Sequence, residues 1–406
     1  MRWRTSAADP PKTAARPQTI AFSLILVLRV RQRTGWRIRA YRLLRVYALP
    51  PSAAIRPRGV SSFYQNERVK KKSCADCLIH GPGVIIGIHA DYPTPPMNLR
   101  QEFNRTDSCP CGSGVNAGNC CLKGAGLWNK RPANVQPPAP ASRFANPNCY
   151  AHSTNDCSSK MSREHYISHD VLRCFESAAG TVGLTGAPWL ASNTEKSLSP
   201  ERRVARILCS RHNHALSPLD AEAGRLFRTI GNFDRDFNEK DPSDAKAVFS
   251  GEDVERWMLK TVCGMVASGH VSKGGIVQSK IVNQAWVDVL FRKTTWQALV
   301  GMYVGTPERT YHSSSFSFQS LIHPKTGELV SVELQLNGIT FSLLLRKADN
   351  PNVLGIYRPR MLVFKQGAVS KFLEFSWQDS QYRVFVEFTR MGTYDGPSPS
   401  WSPVGT

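Results

Sequence analysis

The side chains with chemical potential fall in two constellations. Cys109-Pro110-Cys111 and Cys120-Cys121 place four thiols within 13 residues. A Cys-x-Cys pair followed by Cys-Cys supplies four soft ligands for one tetrahedral Zn²⁺. Pro110, Gly112 and Gly114 suit the tight turn between the pairs. The second constellation opens with Cys149 and Cys157, passes through Ser162-Arg163-Glu164-His165-Tyr166, and closes on Cys209-Ser210-Arg211-His212-Asn213-His214. It offers soft ligands, then a Glu-His pair, then a Cys-x-x-His.

Cys109, Cys111, Gly112, Ser113, Gly114, Cys120 and Cys121 closely resemble the SEC-C motif, a small zinc module found at the C-terminus of the bacterial preprotein translocase ATPase and in other bacterial proteins. Some members carry His where this chain has Cys121. Four protein ligands leave no open position for water, so the resemblance implies partner docking or structural stapling, not catalysis.

The second constellation resembles the HNH endonuclease family, the ββα-metal nucleases. The resemblance implies a structural zinc on Cys149, Cys157, Cys209 and His212. It makes His165 the general base, lets Glu164 help hold a catalytic Mg²⁺ or Mn²⁺, and puts Asn213 at the family's final His, with His214 as a second candidate. The chemistry requires these types: a neutral imidazole takes a proton from water, and a divalent cation stabilises the scissile phosphate. The sequence departs from the family in three places. The first knuckle is Cys-x7-Cys, the gap from His165 to Cys209 is 44 residues, and Asn193 is only a loose match to the family's loop Asn. The alternative is a structural zinc knuckle with Glu164 and His165 as bystanders.

Several elements must position these residues. The stretch before Cys209 reads as a helix capped by Ser199, with Pro200 in its first turn and Val204, Ile207 and Leu208 on one face. Leu216 to Glu222 reads as a further helix opening near Ser217 or Asp220, with Asp220 and Glu222 as first-turn acids. Ser250-Gly251-Glu252-Asp253 opens an amphipathic helix whose stripe is Val254, Trp257, Met258, Thr261, Val262 and Met265. Ile281 to Leu299 forms a second apolar helical stretch. Alternation from Val330 to Leu336, then Asn337-Gly338 and Ile339 to Leu345, predicts a hairpin. Further strands fall at Arg360–Lys365, Lys371–Trp377 and Tyr382–Thr389. Cys174 and Cys263 stand alone and read as small buried hydrophobes.

Charge divides the chain unevenly. Residues 1–96 hold 17 Lys and Arg against four acids, a net of +13, which leaves +8 for the remainder. That balance permits a nucleic-acid partner. The apolar run Ile20–Leu28 is too short for a membrane span, which needs about 20 residues. Cys74-Ala75-Asp76-Cys77 is half a zinc site without a second half nearby. Met97 leads directly into the first knuckle and reads as the start of the folded protein. Paired, closely spaced cysteines fit metal binding in a reducing cytosol better than a disulfide framework.

The sequence thus predicts an α+β protein. Residues 1–96 are a disordered or spurious basic extension and 97–127 an SEC-C zinc motif. Residues 128–148 form a linker, 149–235 an HNH-like ββα zinc module, 236–395 helices plus an antiparallel β-sheet, and 396–406 a disordered tail. The expected function is a cytoplasmic, zinc-binding, metal-dependent nuclease acting on DNA or RNA. The alternative is a non-catalytic adaptor docking a protein partner through the SEC-C motif. No membrane association is expected.

Overall fold

A computed structural model describes residues 28–29, 103–123, 127–185, 195–202, 204–273, 276–277, 280–305, 310–311, 315–323, 326–336, 339–347, 354–378 and 385–390. Nearly all of the basic extension, the Cys74–Cys77 pair, Asn193 and the Pro-rich tail lie outside the described residues.

The elements run in this order: β1 (Leu28–Arg29), β2 (Leu122–Lys123), β3 (Leu127–Trp128), α1 (His169–Arg173), β4 (Val182–Thr185), β5 (Glu195–Leu198), α2 (Ser210–Asp236), β6 (Ala245–Ser250) and α3 (Gly251–Ala267). Then come β7 (Ser272–Lys273), β8 (Ile276–Val277), α4 (Gln284–Leu290), β9 (Gly301–Gly305), β10 (Thr310–Tyr311), β11 (Ser315–Ile322) and β12 (Leu329–Leu336). The chain closes with β13 (Ile339–Leu344), β14 (Ile356–Tyr357), β15 (Met361–Gln366), β16 (Val369–Ser376) and β17 (Phe385–Arg390). The fold is α+β, as the pattern predicts.

One sheet has the order β1-β11-β12-β13-β9-β14 and every pair in it is antiparallel. Leu336 pairs with Ile339, so the predicted hairpin closes over two residues. The other sheet, β10-β17-β15-β16-β6, is mixed: β15 and β16 are antiparallel, whereas β17–β15 and β16–β6 are parallel. Strand alternation cannot reveal this, because direction depends on the crossovers.

Two helices lie across the core. Ser250 caps α3, its hydroxyl accepting from the Asp253 N–H at 3.1 Å, as the sequence predicts. The expected stripe is buried, but so are Glu252, Asp253, Glu255 and Lys260. The helix is therefore packed on all sides, with Asp253, Glu255 and Lys260 in ion pairs and Glu252 accepting from the Gln378 N–H.

Three sequence expectations about helices are corrected. The segment before Cys209 is not a helix: only Pro200–Arg202 makes a 3-10 turn, and the chain then pairs with Met161–Glu164. Helix formation starts after Cys209, whose extended backbone (φ −72°, ψ 158°) is the N-cap of α2. No second helix opens at Leu216–Glu222, since Pro218 lies inside α2. The His214 carbonyl would normally accept from residue 218, and the Ser217 hydroxyl takes that place at 2.8 Å. In the stretch Ile281–Leu299 only Gln284–Leu290 is helical.

One hydrophobic core runs from Val135 and Cys149 through α2 and α3 to Phe388. Residues 149–237 and the C-terminal sheets thus share an interior. Residues 128–148, expected as a linker, begin with the last residue of β3, Trp128, and hold no other strand or helix. They pack closely nonetheless: Val135 is fully buried, Lys130 pairs with Glu222 at 2.6 Å, and the Ala133 N–H reaches Asp253 at 2.8 Å.

Candidate metal centres and a histidine cleft

The first knuckle gathers Cys109, Cys111, Cys120 and Cys121 so that their sulfurs lie within 4.8 Å of one another. Cys111–Cys120 and Cys120–Cys121 are each 3.5 Å apart. A tetrahedral zinc with 2.3 Å bonds to sulfur has S···S edges of about 3.8 Å, so the set fits. Gly112 and Gly114, both at positive φ (77° and 73°), make the turn. Beyond the turn, the Val115 carbonyl accepts from the Cys109 N–H. Crowding splits the thiols: hydrogen bonding from Cys121 lowers Cys111 to about 4, and Cys121 itself is pushed up.

The second set brings together Cys149, Cys157, Cys209 and His212, all buried. The backbone turns through a 3-10 helix, His152–Thr154, and a left-handed Asn155 (φ 54°) to bring Cys157 back beside Cys149. Cys209 and His212 lie one helical turn apart on one face of α2. His212 Nδ1 lies 3.6 Å from Cys149 Sγ, 3.7 Å from Cys157 Sγ and 3.2 Å from Cys209 Sγ. These are the edges expected around a zinc held by three thiolates and one imidazole. The other ring nitrogen, Nε2, is 2.8 Å from Thr154 Oγ1, and the ring packs on Phe291. Both contacts fix the ring for ligation. Hydrogen bonding with Cys149 pushes the Cys209 thiol down to about 2 and the Cys149 thiol up.

Beside this centre a short antiparallel pairing leads into α2. Met161 pairs with Cys209 and Glu164 with Ala205 in antiparallel bridges. The Glu164 N–H donates to the Ala205 carbonyl at 2.9 Å, and the Glu164 carbonyl accepts from the Ala205 N–H at 2.8 Å. Helix α2 follows directly. The residues between Glu164 and Ala205 contain α1 and the β4–β5 hairpin, inserted between two paired segments of the chain.

A cleft of about 270 Å³ opens at this junction, lined by Arg163, Glu164, His165, His169, Asp170, Asn213, Ser217, Asp220 and Ala221. The sequence-derived residues Glu164, His165 and Asn213 therefore line one space. His214 does not: it is exposed elsewhere on α2. The His165 ring is half-buried, and its buried Nε2 has no hydrogen-bond partner. Burial pushes its pKa below the usual value, and the positive neighbours His169 and Lys260 add to this.

Glu164 is 3% exposed and ion-paired with Lys260 on α3. The same ammonium lies 2.8 Å from both oxygens of Asp220. Burial alone would lower the Lys260 pKa, but Asp220 and Glu164 outweigh it and hold it above its usual value. Burial pushes the Glu164 carboxyl up despite that ammonium. The Ser168 hydroxyl also donates to Asp220 and accepts from Trp257 Nε1 at 2.6 Å. Asp220 and Glu222, expected as first-turn acids, are thus mid-helix ion-pair partners, Glu222 binding Lys130 and Arg225.

Sequence reasoning missed His169 and Lys260. His169 sits four residues after His165, and the ring centroids are 5.2 Å apart. Lys260 shares a helix face with Trp257 and Gly264; a Lys between two apolar-face positions is the available signal.

Comparison with protein families matches the SEC-C motif to residues 105–123. No curated protein and no solved structure matches the chain significantly. With the two ligand sets, this supports a zinc-binding protein that carries an SEC-C motif. Among the described residues no helix is long and apolar enough to cross a membrane.

Proposed function

We propose that the second zinc centre staples a nuclease module, and that the cleft beside it cleaves nucleic-acid phosphodiesters. One observation carries this reading: the half-buried His165 ring, whose pKa burial lowers, lines one cleft with His169 and Asn213. A neutral imidazole at a cleft suits a general base. Asn213 comes from the first turn of α2, directly after the ligand His212, so the zinc sets its position.

The family's divalent cation fits this cleft poorly. Glu164, the residue the resemblance would give to Mg²⁺ or Mn²⁺, is buried against Lys260, and Asp220 shares the same ammonium. No step is assigned to a catalytic metal.

A second reading is a non-catalytic binding protein with two structural zincs. The neutralised Glu164 favours it. The test is purified full-length protein on plasmid DNA and on single-stranded RNA, with and without added Mg²⁺, wild type against His165→Ala. Cleavage lost in the variant supports the nuclease; intact substrates under every condition support the binding protein.

A further inference from the structure

We infer, building on the nuclease reading, that the cleft cleaves RNA without a divalent cation, using His165 and His169 as a base and acid pair. Lys260 is the positioning residue that stands where a metal ion would be needed.

Three observations converge. The first is the pair of imidazoles. His165 and His169 line the same cleft with centroids 5.2 Å apart and ring planes inclined by 50°. They reach it from different elements, the strand end at Glu164 and the first residue of α1. A carboxylate oxygen of Glu201 lies 3.4 Å from His169 Nε2. The second is the internal cation. Lys260, 2% exposed, is hydrogen-bonded to both oxygens of Asp220 and ion-paired with Glu164, so these two acids of the cleft already share a fixed positive charge. An added dication would have to displace a lysine built into the core of α3. The third is Arg163, exposed at the rim, whose guanidinium can take a phosphate in bidentate fashion.

This equipment suits one class of phosphodiester. DNA needs an external water and strong stabilisation of the leaving oxygen, the work a metal does best. RNA carries its own nucleophile, the 2′-hydroxyl, next to the phosphorus. In the step assigned here, the His165 imidazole removes the 2′-hydroxyl proton and the 2′-oxygen forms a bond to phosphorus. The bond from phosphorus to the 5′-oxygen breaks, its electron pair leaves with that oxygen, and a protonated His169 supplies the proton. The products are a 2′,3′-cyclic phosphate and a free 5′-hydroxyl. One proton has moved from His169 to His165, and solvent exchange resets the pair. No water, oxidant or metal is consumed.

The experiment uses full-length protein with its zinc content measured, a 5′-labelled RNA oligonucleotide, and its DNA counterpart, in metal-depleted buffer and with Mg²⁺. The expected result is cleavage of RNA alone, unaffected by Mg²⁺, with 2′,3′-cyclic phosphate ends by mass spectrometry. His169→Gln should slow cleavage about 100-fold. It should do so far less on a uridine 3′-aryl phosphate, whose leaving group needs no proton. Lys260→Met should lose metal-free cleavage and regain part of it with Mn²⁺, a change that a purely structural lysine would not produce. If Lys260→Met does not fold, the leaving-group comparison in His169→Gln decides alone. Cleavage that requires Mg²⁺, or that cuts DNA equally, overturns this inference and leaves the nuclease reading standing. Absence of cleavage of any nucleic acid overturns both.

Discussion

The backbone N–H of Val248 donates to the carbonyl of Pro110, 3.2 Å away. Val248 lies on β6, the edge strand of the mixed sheet, and Pro110 is the turn residue of the first zinc knuckle. Val248 is also buried among Cys109, Cys111, Cys121 and Trp128. Beside the knuckle, Arg225 on α2 donates to the Val248 carbonyl at 2.6 Å and stacks over Phe249 at 3.6 Å. The SEC-C knuckle therefore covers a free sheet edge of its own chain, a place where unpaired backbone otherwise invites association.

Cys121→Ser should release that edge. We expect loss of one zinc and faster amide exchange across Ala245–Ser250, with α3 still protected. Hydrogen-exchange mass spectrometry checks it. Unchanged protection of β6 would mean that the knuckle sits on the sheet without closing it.

Cys209→Ser isolates the second zinc from the helix cap. Serine is a strong N-cap, so α2 keeps its start while the metal loses a ligand. Zinc content should fall from two ions per chain to one. Structural zinc binding is worth on the order of 10 kcal/mol at neutral pH, so the melting temperature should drop clearly. Metal analysis and a thermal melt provide the check; a variant that retains both ions refutes the ligand assignment.

The pH profile of cleavage should show the displaced His165. Its pKa is lowered, first by burial, so the base stays neutral below the ordinary histidine value of about 6.5. Activity should hold as pH falls through 6.5, then decline about tenfold per unit once the lowered value is passed. An acid limb centred at or above 6.5 would contradict the burial of this ring.

Gly264→Ala tests how α3 supports the cleft. A Cβ at Gly264 would lie 2.7 Å from the Cβ of Tyr166, the residue after His165. Tyr166 in turn packs edge-on against His270. The added methyl should destabilise the fold by about 1–3 kcal/mol and reduce cleavage by displacing His165, with both zincs retained. Denaturant melts and metal analysis separate these effects; full activity at full stability would show that the helix yields without moving the cleft.

Both zinc sets were legible because thiols at such spacing have few other uses, and strands β12 and β13 were legible from alternation. The start of α2 was misplaced by two prolines. Pro200 resembles a first-turn proline yet opens only a 3-10 turn, because the chain after it is claimed by pairing with Met161–Glu164. Pro218 resembles a helix start yet sits inside α2, where Ser217 satisfies the freed carbonyl. Glu164 was legible as a site residue but not as an ion-pair partner. Lys260 lies far along the chain and meets it only through the packing of α3, and local pattern carries no information about such a contact.

The insertion between Cys157 and Cys209 has a kinetic consequence. The two are separated by roughly 50 residues, and closing a loop of that length costs entropy. A zinc ion can complete this four-ligand set only after both ends have met, so the appearance of the second bound zinc would time the assembly of the cleft.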